Sequence, residues 1–315
     1  MLLIPVIHAG QSVKVQSPAT VANLVCGFDV LGMCLNEPYD VMEVEITNEA
    51  GVQISTTDGY DLPSDPMKNT AGAPLIEMLQ ELNNPCGFKI IITKNIKPGS
   101  GLGSSAASAA GAVVAANHLL GNIFSKSDLV RFAMAGEKVA SGVKHADNVA
   151  PCIYGGITLI RSIFPLDIIS IGAPELHVTV VHPQIEVKTA DARQILRKEV
   201  LLKDAIKQWG NIAGLVAGVM LKDFDLLGRS LEDVIIEPIR SILIPQFDKV
   251  KKESKLAGAL GGGISGSGPS IFMLSKNIQT AQKIEVLMKA NYQQIALDHY
   301  TYVTKINTDG VKIIT

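Results

Sequence analysis

The sequence predicts an α+β chain in two halves, and three observations carry that reading. Apolar–polar alternation marks strands in the first hundred residues. A glycine-rich turn then joins a β-branched strand to a long helix of small residues across 88–120. The chain closes on a strand, glycine turn, strand, helix and strand whose interleaved pairing resembles a ferredoxin-like half. A soft boundary near residue 160 gives one half at 1–160, which carries the glycine-rich turn, and a ferredoxin-like half at 161–315.

Taken in order, residues 12–16 alternate, and 39–47 alternate again. In the second run Val41, Glu43 and Glu45 share one face and Met42, Val44 and Ile46 the other. Residues 69–82 have helical spacing (Ala73, Ile76, Leu79) and stop at Asn83, Asn84 and Pro85. FKIIITKN at 88–95 reads as a strand, 104–120 as a helix closed by Gly121, and 126–140 as an amphipathic helix capped by Ser125 or Ser127. A glycine-rich strand pair is expected around 153–162, a strand at 176–182, helices across 191–222 and a helix near 245–255. The closing series is placed at 257–260, 270–275, 279–290 (the helix) and 300–306.

Bulk properties exclude several classes. Hydrophobic residues make up 47% of the 315, with a mean hydropathy of +0.27, and they are spread along the chain. The most apolar runs, 106–120 and 212–221, are interrupted by Ser108 and Asn117 or bounded by Asn211 and Lys222, short of the ~20 apolar residues of a membrane span. The opening MLLIPVIHAG lacks a basic segment, the first lysine being Lys14, so the expectation is a soluble, cytoplasmic protein with no membrane partner. Net charge is −2 with lysines and arginines scattered, which argues against nucleic-acid binding. Cys26, Cys34, Cys86 and Cys152 form no zinc or redox spacing and read as buried thiols.

The strongest local signal is KPGSGLGSSAAS at 97–108. Glycines let a backbone approach an anion, and the following helix offers unpaired N–H groups and its positive dipole end. Ser104 and Ser105 add hydroxyls, while Ala106, Ala107 and Ala109 allow tight packing beneath a bulky ligand. No lysine follows Gly103, which disfavours a Walker-type loop. The run from Gly101 to Ala106 matches a dinucleotide fingerprint, but the acidic residue expected ~20 positions later falls near Lys126 and Asp128, at a helix start. The loop reads as the phosphate site of an ATP-dependent small-molecule kinase, with a ligand-free tight turn and a nicotinamide site as the alternatives.

Two further constellations accompany it. SPATVANLVCGFDVLGMCL at 17–35 sets Asn23 and Asp29 in an apolar context, with Gly27 and Gly32 allowing sharp turns; alone it reads as a capped turn. AGALGGGISGSGPSIFML at 257–274 alone reads as a tight hairpin. Together and in order, the three resemble the GHMP superfamily of small-molecule kinases, and within it the homoserine kinase family. There the motifs run approximately PATxANLGPGFDxLG, PxGxGLGSSAA and GxxISGxGP. The resemblance covers most of the chain. It implies the two-domain GHMP kinase fold, with a ribosomal S5 domain 2-like nucleotide-binding half before the ferredoxin-like one. It also implies ATP and Mg²⁺ as cofactors, an amino-acid substrate and a homodimer.

The resemblance also assigns positions. Asn69 falls where the family contacts adenine, and Pro98, Gly99, Ser100, Gly101, Leu102, Gly103, Ser104, Ser105, Ala106 and Ala107 where it cradles the phosphates. Ser105 and Glu137 fall where Mg²⁺ is held, a role suited to few protein oxygens. In HADNVAP at 145–151, His145 and Asp147, with Asn23 and Asp29, would surround the amino acid, and Asn148 would sit at its hydroxyl. Asp147 is a base candidate by composition, whereas the family account needs no strong base. Thr189 and Arg193 match a T-x-x-x-R pattern, and Arg240 and Gly266 complete the substrate set. Guanidinium is the natural partner of an α-carboxylate, which favours an amino acid over mevalonate or a sugar. Val25–Cys26 replaces the usual Gly-Pro, Lys97 an expected proline, and Glu237 a glutamine-like position. The reaction implied is phosphorylation of the side-chain hydroxyl of L-homoserine in threonine biosynthesis. A GHMP kinase for another small alcohol and a ligand-binding pseudokinase are the alternatives.

Overall fold

β1 (Ser12–Ala22) and β2 (Leu31–Thr47) form a long antiparallel pair whose register shifts between Pro18 and Thr20. The alternation read from the sequence is realised in β2: Met42, Val44 and Ile46 are buried, and Val41, Glu43 and Glu45 are half-exposed. β3 (Gly51–Thr56), α1 (Gly72–Glu81) and β4 (Gly87–Thr93) follow, then α2 (Ser104–Leu119), α3 (Lys126–Ser141), α4 (Val149–Tyr154) and the hairpin β5 (Ile157–Ile163) and β6 (Leu166–Gly172). This computed structural model describes residues 8–56, 60, 62–187 and 189–314.

The first sheet runs β11-β1-β2-β4-β3, where β11 is the short C-terminal strand Lys312–Ile313; β5 pairs with the start of β2 and with β6. α2 lies between the sheet and α1, α3 and α4. Its alanines 106, 107, 109, 110, 112, 115 and 116 are all buried, which explains a helix without an apolar stripe. α3 takes Ser125 as its cap: the Ser125 hydroxyl accepts from Asp128 N–H, and the Asp128 carboxylate accepts from Ser125 N–H at 3.1 Å.

The second half begins at β7 (His177–Pro183) and continues through α5 (Thr189–Gln194), α6 (Leu202–Leu221), α7 (Phe224–Ser230), α8 (Glu237–Arg240) and α9 (Phe247–Leu256). β8 (Gly261–Ile264), β9 (Ile271–Ser275), α10 (Ile278–Gln294) and β10 (His299–Lys305) complete it. Its antiparallel sheet, ordered β10-β7-β9-β8, has the βαββαβ connectivity of a ferredoxin-like unit. Residues of both halves share one apolar core: Val21, Leu31 and Met33 pack with Val178, Val180 and Phe272.

Several expectations are corrected. Residue 160 lies inside β5, whose ladder to β6 keeps the chain in the first sheet as far as Gly172; β11 also returns there, so neither half ends where expected. Residues 153–154 end α4, closed by Gly155 at a φ of +77°, and the strand pair starts only at Ile157. The strand expected at 257–260 is instead the glycine run of β8, where a Cβ on Gly262 would stand 2.0 Å from the Phe272 carbonyl oxygen. β3, α4, α7, α8 and β11 have no counterpart among the elements expected from the sequence. All four cysteines are free and buried, and burial pushes the Cys26 and Cys152 thiols up to about 12. Among the described residues no helix is long and apolar enough to cross a membrane.

Candidate active site

The glycine loop leaves β4 and enters α2 with Gly99, Gly101 and Gly103 at φ of +75°, +78° and +67°. Two of these positions also have no room for a side chain. A Cβ on Gly101 would lie 2.6 Å from the carbonyl oxygens of both Ser265 and Gly268, and one on Gly103 would lie 2.0 Å from Thr20 Oγ1. The loop is therefore clamped between the halves. Ser265 Oγ donates to the Gly101 carbonyl and Ser270 Oγ to that of Ser100, each at 2.7 Å. Thus the late glycine–serine motif, legible as a motif, holds the glycine loop from the second half.

The first helical bond of α2 runs from Ala107 N–H to Gly103 C=O, so the N–H groups of Ser104, Ser105 and Ala106 precede it at the helix's positive end. Ser104 turns its hydroxyl inward to the Ile96 carbonyl, and Ser105 donates to Glu137 Oε1 at 2.7 Å. Ser100, Leu102, Ala106 and Ala107 are buried behind the loop, whereas Pro98, Gly99, Gly101, Gly103, Ser104 and Ser105 line a cavity of about 470 Å³. That volume suits a small-molecule site.

Two buried charges beneath the loop escaped the sequence reading. Lys94 Nζ pairs with Asp40 Oδ2 and donates to the Ser104 carbonyl (3.0 Å) and to Ser108 Oγ (3.1 Å). Asp40 Oδ1 accepts from the N–H groups of Asn95 and Ile96. The pair fixes β2 to the start of α2; its only sequence signal is a lysine at the end of an apolar strand.

On the cavity's inner wall three polar residues, Glu137, His145 and Asp147, form a chain. Glu137 Oε2 lies 3.2 Å from His145 Nε2, and His145 Nδ1 lies 2.7 Å from Asp147 Oδ1. Burial alone would discharge His145, but the hydrogen bond and charge of Asp147, with Glu137 and Asp29, outweigh it and push the imidazole up to about 9. Burial raises the Glu137 carboxyl despite His145 and Ser105. Asn148, at the start of α4, accepts from Thr20 Oγ1 at 2.7 Å, which fixes its amide at the cavity wall.

The opposite wall carries charge of both signs. Asn23 and Asp29 flank a turn in which Asn23, Leu24, Val25 and Asp29 all have positive φ, a left-handed conformation costing non-glycine residues about 1–2 kcal/mol each. Arg193 grips both Asp29 oxygens at 2.9 Å, while Arg240 donates to the carbonyls of Ala192 and Gly266 at 3.1 Å. The two guanidinium carbons lie 5.3 and 5.0 Å from the ring centre of Phe28, which the sequence reading did not single out. Burial and the neighbouring Arg193 charge push Arg240 down to about 10, still cationic near neutrality. A carboxylate entering here would relieve the repulsion between two guanidiniums.

Not every expected residue reaches the cavity. Asn69 is buried behind it: its Nδ2 donates to the Pro63 carbonyl and its Oδ1 accepts from Ala71 and Gly72 N–H, while neighbouring Thr70 and Leu62 form the lining. Asn69 thus shapes the wall rather than facing a ligand. Thr189 opens α5, but its side chain lies outside the described residues. Gly266 contributes its carbonyl, which accepts from both Asn23 Nδ2 and Arg240. Of the departures, Lys97 bonds Gln184, and Glu237 pairs with Lys251 away from the cavity wall.

Residues 69–156 match the family model of the GHMP kinases N terminal domain, and 212–294 that of the GHMP kinases C terminal domain. A homoserine kinase of Chloroherpeton thalassium is 46% identical over 312 residues, 95% of this chain and 98% of its own. The crystal structure of homoserine kinase from Cytophaga hutchinsonii superposes with a TM-score of 0.93 at 48% identity, covering 100% of both chains. The L. major mevalonate kinase, solved with R-mevalonate, shares the fold alone: TM-score 0.71 and 16% identity over 96% of this chain and 99% of that one. With the clamped glycine loop and the two-arginine wall facing one cavity, and identity of this level along nearly the whole chain, the protein belongs to the homoserine kinase family of the GHMP kinases.

Proposed function

We propose that the chain transfers the γ-phosphoryl group of ATP to the side-chain hydroxyl of L-homoserine, giving O-phospho-L-homoserine for threonine biosynthesis. The observation that carries this reading is one cavity lined at one end by a helix N-terminus and glycine loop, and at the other by Arg193 and Arg240 beside Asn23 and Asp29. The first end suits polyphosphate. The second suits a zwitterion, with guanidinium for the carboxylate and Asp29 for the ammonium.

Phosphoryl transfer requires positioning and charge neutralisation more than covalent chemistry. The Ser104–Ala106 amides hold the phosphates, and the Asn148 amide, locked by Thr20, orients the acceptor hydroxyl. Asp147 is hydrogen-bonded to a cationic His145, which supports a positioning role for it over that of a strong base. Ser105 and Glu137 form a hard oxygen pair at the phosphate end that fits Mg²⁺, an ion that keeps nucleotide and water ligands. These two residues would hold Mg²⁺, which when bound would supply positive charge to the nucleotide phosphates.

We also propose a cytoplasmic homodimer. Its support is the outer face of α6, where Leu202, Ile206, Trp209 and Met220 are each more than half exposed. A coupled ADP-release assay with L-homoserine, L-serine, mevalonate and galactose tests the reaction. Turnover is expected with L-homoserine well above the others; preference for mevalonate or galactose would overturn the acceptor, and no ATP turnover with any would indicate a ligand-binding pseudokinase.

A further inference from the structure

The strained turn at 23–29 carries two substrate residues and replaces the family's Gly-Pro with Val25–Cys26. What holds it is a side chain from α6. Gln208 is buried and uses both ends of its amide to join two other segments, the turn at Cys26 and residues 233–234. Its Nε2 donates to the Cys26 carbonyl at 2.7 Å and to Asp233 Oδ1 at 3.0 Å, and its Oε1 accepts from Val234 N–H at 3.1 Å. Asp233 in turn accepts from the N–H groups of Ile235, Ile236 and Glu237 at 2.8–3.0 Å, seating the first turn of α8, the helix that carries Arg240.

The geometry points to Gln208 as a positioning residue that fixes the spacing between the ammonium-binding turn and the carboxylate-binding helix of the amino-acid site. This inference rests on the homoserine reading above. Neither Gln208 nor Asp233 lines the main cavity, so any effect on substrate passes through what they hold. On one side Gln208 meets the turn that aims Asn23 and Asp29. On the other, through Asp233, it meets the backbone that aims Arg240. A buried amide removed from such a web leaves the Cys26 carbonyl and Val234 N–H unpaired, and both segments are free to drift. The glycine loop has its own direct holds, Ser265, Ser270 and the Asp40–Lys94 pair, none of which Gln208 touches, so the nucleotide end is the less dependent on it.

The test is steady-state kinetics of Gln208→Met beside wild type in the ADP-release assay, varying L-homoserine and ATP separately. KM for homoserine is expected to rise at least tenfold, with KM for ATP within twofold. Gln208→Glu, of the same size and still able to accept from Val234 but unable when ionised to donate to Cys26, is the second variant should the first not fold. It is expected to show the same split. Equal rises in both KM values, or an unchanged homoserine KM in a soluble variant, would overturn the inference. A wild-type chain without homoserine turnover would instead overturn the reading of the reaction, and the inference with it.

Discussion

His145 is the residue whose ionisation most shapes the site's pH behaviour. It stands between Glu137 and Asp147, with the Asp29 charge nearby, and its pKa rises from 6.5 to about 9 on folding. A folded pKa above the unfolded one gives stability fully present below pH 6.5 and lost as pH rises through about 9. Within that window the slope approaches about 1.4 kcal/mol per pH unit. The raised Glu137 carboxyl acts in the same direction, its loss beginning above 4.5. Urea midpoints measured from pH 6.5 to 9.5 should therefore fall for the wild type and stay nearly level for His145→Gln. Parallel curves would show that the imidazole does not hold its proton across this range. His145 and Asp147 were legible because they stand two apart in the chain. Asp40 and Lys94 were not, being 54 positions apart, and Gln208 lies 182 positions from the carbonyl it holds. Pairings that only the folded chain makes leave no local pattern.

At the scale of elements, the glycine loop separates two reasons for requiring glycine. Gly99 has φ of +75° but open space around it, its nearest neighbour being Glu186 Cγ at 3.8 Å from an added Cβ. Gly101 has φ of +78° and two backbone carbonyl oxygens at 2.6 Å. Gly99→Ala should thus meet only the left-handed penalty, about 1–2 kcal/mol. Gly101→Ala must also push the loop off the Ser265–Gly268 turn, for a total of about 3 kcal/mol or more. Thermal denaturation should rank them in that order, and KM for ATP should rise at least tenfold more in Gly101→Ala. Equal effects would mean that the clamp does not position the loop. The loop was legible because its glycines, serines and helix start adjoin in sequence. β8 was misplaced for the converse reason: three glycines look like a turn, and only the close approach of Phe272 and Glu237 makes them a strand. α2 could be read as a helix but not oriented, since a helix buried all round offers no stripe.

At the scale of the molecule, neither half makes the site alone. The glycine loop, Glu137, His145 and Asn148 come from the first half; Arg193, Arg240 and the Ser265–Ser270 clamp come from the second. The shared core of Val21, Leu31, Val178 and Phe272 makes this a joint of fixed geometry. α6 spans that joint's outer side. Leu215 and Val219 face inward, and Leu202, Ile206, Trp209 and Met220 recur at helical spacing on the outer face with exposures of 67%, 57%, 60% and 66%. Ala213 and Gly210 at the centre of that face would let a second helix approach closely, and an antiparallel pairing about Ala213 sets Trp209 against the small Ala217 of a second copy and Ile206 against Met220. The homodimer proposed on this face predicts a sedimentation mass of twice 33.5 kDa for the wild type and 33.5 kDa for Trp209→Glu. Trp209 is the chain's sole tryptophan, so dilution of the wild type should also shift its fluorescence to the red as the ring meets water. A wild type sedimenting at 33.5 kDa at micromolar concentration would leave α6 without a copy of itself as partner. Gln208 adjoins Trp209 on the same helix turn, so a dimer that steadies α6 also steadies the amide holding the homoserine turn. Trp209→Glu should then raise KM for homoserine more than KM for ATP; equal kinetics in monomer and dimer would confine the interface to assembly alone.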